Sequence, residues 1–155
     1  MNCYGKISLV NFIFDEWLWA DLSGENGPNK QGESSRILLT VFKKCDRIVI
    51  VKGSKFVAKS QKFWKHTDKN RRGIAIFFSY NFLYNLDKSV PIDPDQLKPI
   101  PNNLAGVIKD DDHYLIQAYL TIPDSTIITT DLTLKEILKK NDIPCKYRDD
   151  LIKSY

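Results

Sequence analysis

Apolar residues fall along this chain in two rhythms. Three stretches are almost continuously apolar and rich in β-branched or aromatic side chains: Lys6–Phe14 (KISLVNFIF), Arg47–Val51 (RIVIV) and Ser125–Thr130 (STIITT). Such runs predict buried strands of a sheet covered on both faces. Ile143–Tyr147 (IPCKY) adds a final short strand. Between them apolar residues recur at helical spacing. Glu16–Leu22 predicts a short helix, and Ser34 or Ser35 would cap another bearing Ile37, Leu38, Val41, Phe42 and Cys45. In Ser54–His66, Phe56, Val57, Ser60, Phe63 and Trp64 share one face, while Lys55, Lys59, Lys62 and His66 share the other. His113–Leu120 and Thr133–Lys140 are further helices. Ile74–Leu86 is apolar all round and predicts a buried helix, although its period does not exclude a strand. Ser23–Glu33, by its Gly, Asn and Pro content, reads as a loop. Asp87–Gly106 holds four of the seven prolines and reads as a long irregular connection. Strands alternating with helices predict an α/β domain with a mostly parallel sheet.

The length of 155 residues suits a single domain with its own core. No stretch approaches the roughly 18 continuous apolar residues of a membrane span. Asp15 and Glu16 interrupt the first apolar run, so the N-terminal stretch does not read as a signal peptide. Cys3, Cys45 and Cys145 are odd in number and far apart, offering neither a disulfide framework nor a metal-binding pair. Together these features lead to the expectation of a reducing, cytoplasmic setting.

Charge changes the picture more. From Arg36 to Arg72 there are twelve bases and two acids, whereas the rest of the chain carries eleven bases and seventeen acids. A basic segment within an otherwise acidic chain points to a polyanionic partner; the plainer reading is a solvated lysine-rich surface. His66 and His113 lack a second ligand at zinc spacing, the glycines of the first loop are followed by no GKS/T motif, and no Ser or Cys has a histidine partner.

Parallel sheets bind ligands beyond the carboxyl ends of their strands. Asp15 directly follows the first strand, Asp131 follows STIITT, and Asp110, Asp111 and Asp112 open the HYLIQAYL helix. Carboxylates gathered there would hold Mg²⁺ or Mn²⁺. Each could instead simply cap a helix. For Asp131 the Thr133-x-x-Glu136 capping box is expected to serve as the cap, leaving the carboxylate for chemistry.

The stretch DHYLIQAYLTIPDSTIITTDLTL, and more weakly the opening strand ending in Asp15, resembles the PIN domain family of metal-dependent nucleases, which includes toxin ribonucleases. The order of elements between them also fits. The resemblance implies a single domain over residues 1–155, with a parallel sheet flanked by helices on both faces and an acidic pocket at the strand ends. By position, Asp15, Asp112 and Asp131 resemble the family's catalytic metal-binding acids, and Thr129 or Thr130 the hydroxyl that supports them. The sequence departs from the family in two places. Glu16 and Trp17 follow the first acid where a small hydroxyl residue is usual. The helix after the second strand carries no acid, and Lys59 lies about where a glutamate is expected; Glu16, Glu33 or Asp110 would have to serve as the fourth acid.

The resemblance thus implies an endoribonuclease that hydrolyses single-stranded RNA with Mg²⁺ or Mn²⁺. Metal-bound water supplies the nucleophile, and Lys52, Lys55, Lys59 and Lys62 hold the nucleic-acid backbone. Trp17, Trp19 and Trp64 are candidates for stacking on bases, against the commoner fate of tryptophan in a core. A small inhibitory partner, as in toxin–antitoxin pairs, and a homodimer are compatible with the family. The alternative is a catalytically degenerate PIN-like module that binds nucleic acid or protein without cutting.

Overall fold

The computed structural model describes residues 9–155. Five strands form one parallel sheet: β1 (Asn11–Phe14), β2 (Arg47–Val51), β3 (Ser89–Ile92), β4 (Ser125–Thr129) and β5 (Cys145–Tyr147), in the order β3-β2-β1-β4-β5. Each adjacent pair is parallel, with Phe14 opposite Ile128 and Phe12 opposite Ile48. Alternation along the strands supplies two cores. Phe12, Phe14, Ile48, Ile50 and Ile128 point to one face, where they meet α1 (Trp17–Leu22), α2 (Pro28–Lys43), α3 (Lys55–Trp64), α4 (Lys69–Phe78) and α8 (Arg148–Ser154). Ile13, Val49, Val51 and Ile127 point to the other, against α5 (Asn102–Ala105), α6 (His113–Thr121) and α7 (Leu132–Lys140). The expected α/β fold, a parallel sheet flanked by helices on both faces, is the observed one.

Several local expectations are corrected. Helix α2 begins at Pro28, five residues before the predicted end of the loop. Proline is suited to a first helical turn because its missing N–H has no partner there, and Gly27, at φ 92°, makes the entry. Ser34 is therefore no cap; it is buried inside the helix and donates to the Asp21 carboxylate at 2.7 Å. The proline-rich connection contains β3, which tolerates Pro91 because it lies at the sheet edge. The segment Ile74–Leu86 is only half-buried. The end of α4 passes into a π-helical turn, Ser79–Leu83, in which the Tyr84 N–H donates to the Ser79 carbonyl at 2.9 Å. Phe78 and Phe82 face the core, and Tyr80 and Tyr84 face out. Trp17 and Trp19 are buried, whereas Trp64 is 42% exposed. The predicted strand Lys6–Phe14 is observed from Asn11; Lys6 to Ser8, like Cys3, lie outside the described residues.

Cys45 is disulfide-bonded, and Cys145 is a free thiol. Cysteine usage consequently gives no argument for a reducing compartment. Among the described residues no helix is long and apolar enough to cross a membrane.

Candidate functional site at the carboxyl ends of β1 and β4

The chain runs outward from β1 through β2 to β3, then returns to the other side of β1 as β4. The helix that follows β1 lies on one face of the sheet, and the helix that follows β4 lies on the other. The two connections diverge, so the carboxyl ends of β1 and β4 open into a crevice, the usual position of a ligand site in open parallel sheets. Asp15 leaves β1 at this edge and Asp131 leaves β4 there.

Asp15 is half-buried. Its Oδ1 accepts the Glu16 N–H at 2.6 Å and the Tyr114 hydroxyl at 3.1 Å. Tyr114 comes from α6, so this contact joins the first strand to the helix opened by the acidic run. Burial pushes the Tyr114 phenol up, and the negative charge and hydrogen bond of Asp15 add to the effect, as do the charges of Glu16 and Asp112. The phenol remains a proton donor aimed at Asp15 throughout the neutral range.

Asp131 caps α7: its Oδ1 accepts the Leu134 N–H at 3.0 Å. This overturns the expectation that Thr133 and Glu136 would cap that helix. One oxygen is thereby engaged in structure, leaving Oδ2 outside that bond. Thr129, fully buried at the end of β4, accepts the Asp131 N–H through Oγ1 at 2.9 Å and fixes the turn. Of the two threonines, Thr129 therefore supports the aspartate directly; Thr130 is exposed.

Asp110, Asp111 and Asp112 form a single 3₁₀ turn ahead of α6, and their side chains diverge. Asp110 is almost fully exposed, 3.7 Å from His113 Nε2, which also lies 2.9 Å from the Ile108 carbonyl. Asp111 forms an ion pair with Lys55. Asp112 turns inward. Its carboxyl is raised above the ordinary range, chiefly by burial, then by the negative charges of Asp15 and Asp131, with Lys109 opposing them. Asp112 and Asp131 also line one cavity of about 150 Å³, walled by Val107, Leu134 and Ile137, with Lys109 beside them. Asp15, Asp112 and Asp131 thus share one electrostatic neighbourhood.

The remaining candidates separate clearly. Glu33 is held elsewhere, at 3.0 Å from the buried Arg148 guanidinium. Glu16 lies beside the hollow, where its charge acts on both Lys55 and Tyr114. Lys55, at the start of α3, is held above its usual value by the Asp111 hydrogen bond, then by the charges of Asp111, Glu16 and Asp112. It brings a positive charge to the rim of the acidic hollow. Lys59, the residue expected near the glutamate slot, is half-buried on α3; Lys62 is exposed, and Lys52 pairs with Asp93 at 2.8 Å. Tyr114 and Lys109 were not singled out in the sequence. The only available signal for Tyr114 was its place directly after the DDDH turn.

The donor set is all oxygen, which suits a hard divalent cation. Its members do not converge to coordination distance as they stand: among the described residues no group of three His, Cys, Asp or Glu side chains is arranged to hold a metal ion. The side chains supply the chemistry such an ion requires without forming a closed cage. No family model and no curated protein matches the chain.

Proposed function

We propose that this protein is a PIN-like, metal-dependent endoribonuclease acting on single-stranded RNA in the cytoplasm. The observation that carries the reading is the approach of Asp15, Asp112 and Asp131 at the divergence of the β1 and β4 connections, where Asp112 is disfavoured as an anion by its own burial and its two neighbours. A half-buried carboxyl within electrostatic reach of two others would be relieved by a cation drawn among them. Asp15, Asp112 and Asp131 would hold Mg²⁺ or Mn²⁺, which would lower the pKa of bound water and offset phosphate charge. Tyr114 orients Asp15, and Thr129 fixes the turn that presents Asp131. Lys55, Lys59 and Lys62 would meet the phosphates, a contact that gives salt-sensitive affinity and little sequence selectivity.

The test is cleavage of an unstructured RNA by the full chain with Mg²⁺, Mn²⁺ or a chelator. Cleavage should require the metal and disappear in Asp112→Asn and Asp131→Asn. If both variants cleave like the parent, the reading is wrong.

A second reading is favoured by Lys55. Its ammonium group pairs with Asp111 in the field of Glu16 and Asp112, supplying a resident positive charge where a nuclease would recruit one. On this reading the protein binds RNA without cutting it or serves as a protein-interaction module. Salt-sensitive RNA binding with no turnover at any Mn²⁺ concentration would select the RNA-binding form.

A further inference from the structure

Beyond the acidic hollow, the α3–α4 hairpin carries a groove that the proposed chemistry does not use. It has a volume of about 570 Å³, and Gln61, Trp64, Lys65, Tyr80, Leu83 and Tyr84 line it. Three aromatic rings are left to solvent, Trp64 at 42%, Tyr80 at 69% and Tyr84 at 75% exposure. Their exposure follows from the backbone. The π turn at Ser79–Leu83 keeps Phe78 and Phe82 in the core and sends Tyr80 and Tyr84, also four apart, outward beside the end of α3. Such turns are frequent at functional sites.

Exposed rings alone do not name an occupant; the charge around them does. From Lys55 to Arg72 the hairpin carries seven bases and a single acid, Asp68; of these Lys65 walls the groove, while Lys55 pairs with Asp111 and Arg71 with Glu25. No carboxylate lines the groove, and Lys65 is part of its wall. The rings offer stacking surfaces, Lys65 offers a cation, and Gln61 offers an amide. Stacking on aromatic side chains beside a basic surface is how single strands are held without regard to sequence. A duplex, whose bases are already stacked on one another, could not use the rings.

We propose that this groove binds the unpaired bases of a single-stranded nucleic acid, with an adjoining phosphate against Lys65. The inference deepens the ribonuclease reading by adding a holding site away from the acidic hollow, and it rests on that reading for its choice of RNA.

The test uses the full chain with a chelator, so that no cutting occurs, and a 12-nucleotide oligouridylate as the probe. Trp17 and Trp19 are buried, so quenching of tryptophan fluorescence by the probe should come from Trp64 and vanish in Trp64→Phe. Tyr80→Ala with Tyr84→Ala should weaken binding about 30-fold or more, in line with the typical worth of two base–aromatic stacks. Both side chains are exposed, and an unchanged circular dichroism spectrum would verify folding. A duplex of the same length should not quench. Unchanged affinity in the double variant would overturn the groove. So would a parent dimer that dissociates in the double variant with no change in RNA affinity, since the face would then be an interface between copies. Binding of a proline-rich peptide in place of RNA would do the same. Asp112→Asn separates the two proposals. If it and Asp131→Asn both cleave like the parent while quenching persists, the nuclease reading fails and the groove stands. If it abolishes cleavage while the aromatic variants bind normally, only the groove fails.

Discussion

Among the described residues, the carboxylates around Arg148 and those at the ends of β1 and β4 are handled in opposite ways. Around Arg148, Asp21 is held at 2.5 Å, Asp149 at 2.8 Å and Glu33 at 3.0 Å, and Ser34 completes the network. Arg148 and Asp21 are almost fully buried. Each nitrogen of the guanidinium has an acceptor, and the arrangement ties α1 and α2 to α8. At the ends of β1 and β4, Asp15, Asp112 and Asp131 have no guanidinium between them. Lys55 neutralises Asp111 at the rim, and Asp112 remains raised by its burial and its neighbours. The first cluster is closed by a planar, permanent cation suited to bidentate pairing. In the second, burial and then the charges of Asp15 and Asp131 hold the Asp112 carboxyl above the ordinary range, a condition that an exchangeable cation would relieve. Matched carboxylates hold a fold together; unmatched ones at a strand end invite a ligand.

Breaking the matched cluster should have the largest effect. Arg148→Met leaves the Asp21 carboxylate buried without its partner, and loss of about 3–5 kcal/mol is expected in urea unfolding, as for other buried ion pairs cut on one side. Asp21→Asn, which keeps the bond to Asn26 and Ser34 within reach, should cost less. If Arg148→Met melts like the parent, the cluster is not the tie described.

The unmatched cluster should answer in activity. Asp112→Asn is expected to leave the fold intact and lower metal-dependent cleavage by about 100-fold or more, since even groups that merely support metal ligands are worth roughly 10–100-fold. Manganese titration calorimetry on the same variant should show weaker binding than the parent.

The contrast also has a pH signature. A carboxyl raised in the folded state binds more protons folded than unfolded, so its contribution to stability is greatest below its unfolded value and falls as pH rises from there to the folded value. For Asp112 that decline begins near 3.8. The share of the metal-free protein's stability that Asp112 contributes should therefore fall as pH climbs above this point. Asp112→Asn should flatten that part of the curve, and added Mn²⁺ should offset it. A parent and variant with parallel stability curves would remove the repulsion argument.

The smallest effect is expected at the rim. Lys55→Met breaks an exposed pair, so thermal unfolding should not move measurably. Mn²⁺ binding should tighten a few-fold because Asp111, Glu16 and Asp112 lose their resident cation. Weaker Mn²⁺ binding in this variant would instead make Lys55 an organiser of the acidic run.

Much of the architecture was legible in local pattern. Strands β1, β2 and β4 are buried on both faces, so they read as continuous apolar runs of β-branched and aromatic residues. Edge strand β3 did not, because Pro91 is a local signal against a strand and only the free edge makes it harmless. The start of α2 was hidden by its Gly-Asn-Pro composition, which outweighs helix spacing over a few residues. The acids at the strand ends were identifiable by position. Whether each acid caps, pairs or stays unmatched was not: Asp131 does cap its helix, Asp111 meets a lysine from α3, and Glu33 meets Arg148 from the last helix.

The amino-acid sequence by itself determined the layered α/β plan, since apolar periodicity is a local property that two-sided burial imposes on each strand. It also determined which acids follow which strands. The tertiary structure alone decided which charges meet. Arg148 lies 127 residues from Asp21 in the chain and 2.5 Å from it in space. Electrostatic energy depends on the distance between charges and on their burial, and the order of residues along a chain specifies neither until the sheet has closed around them.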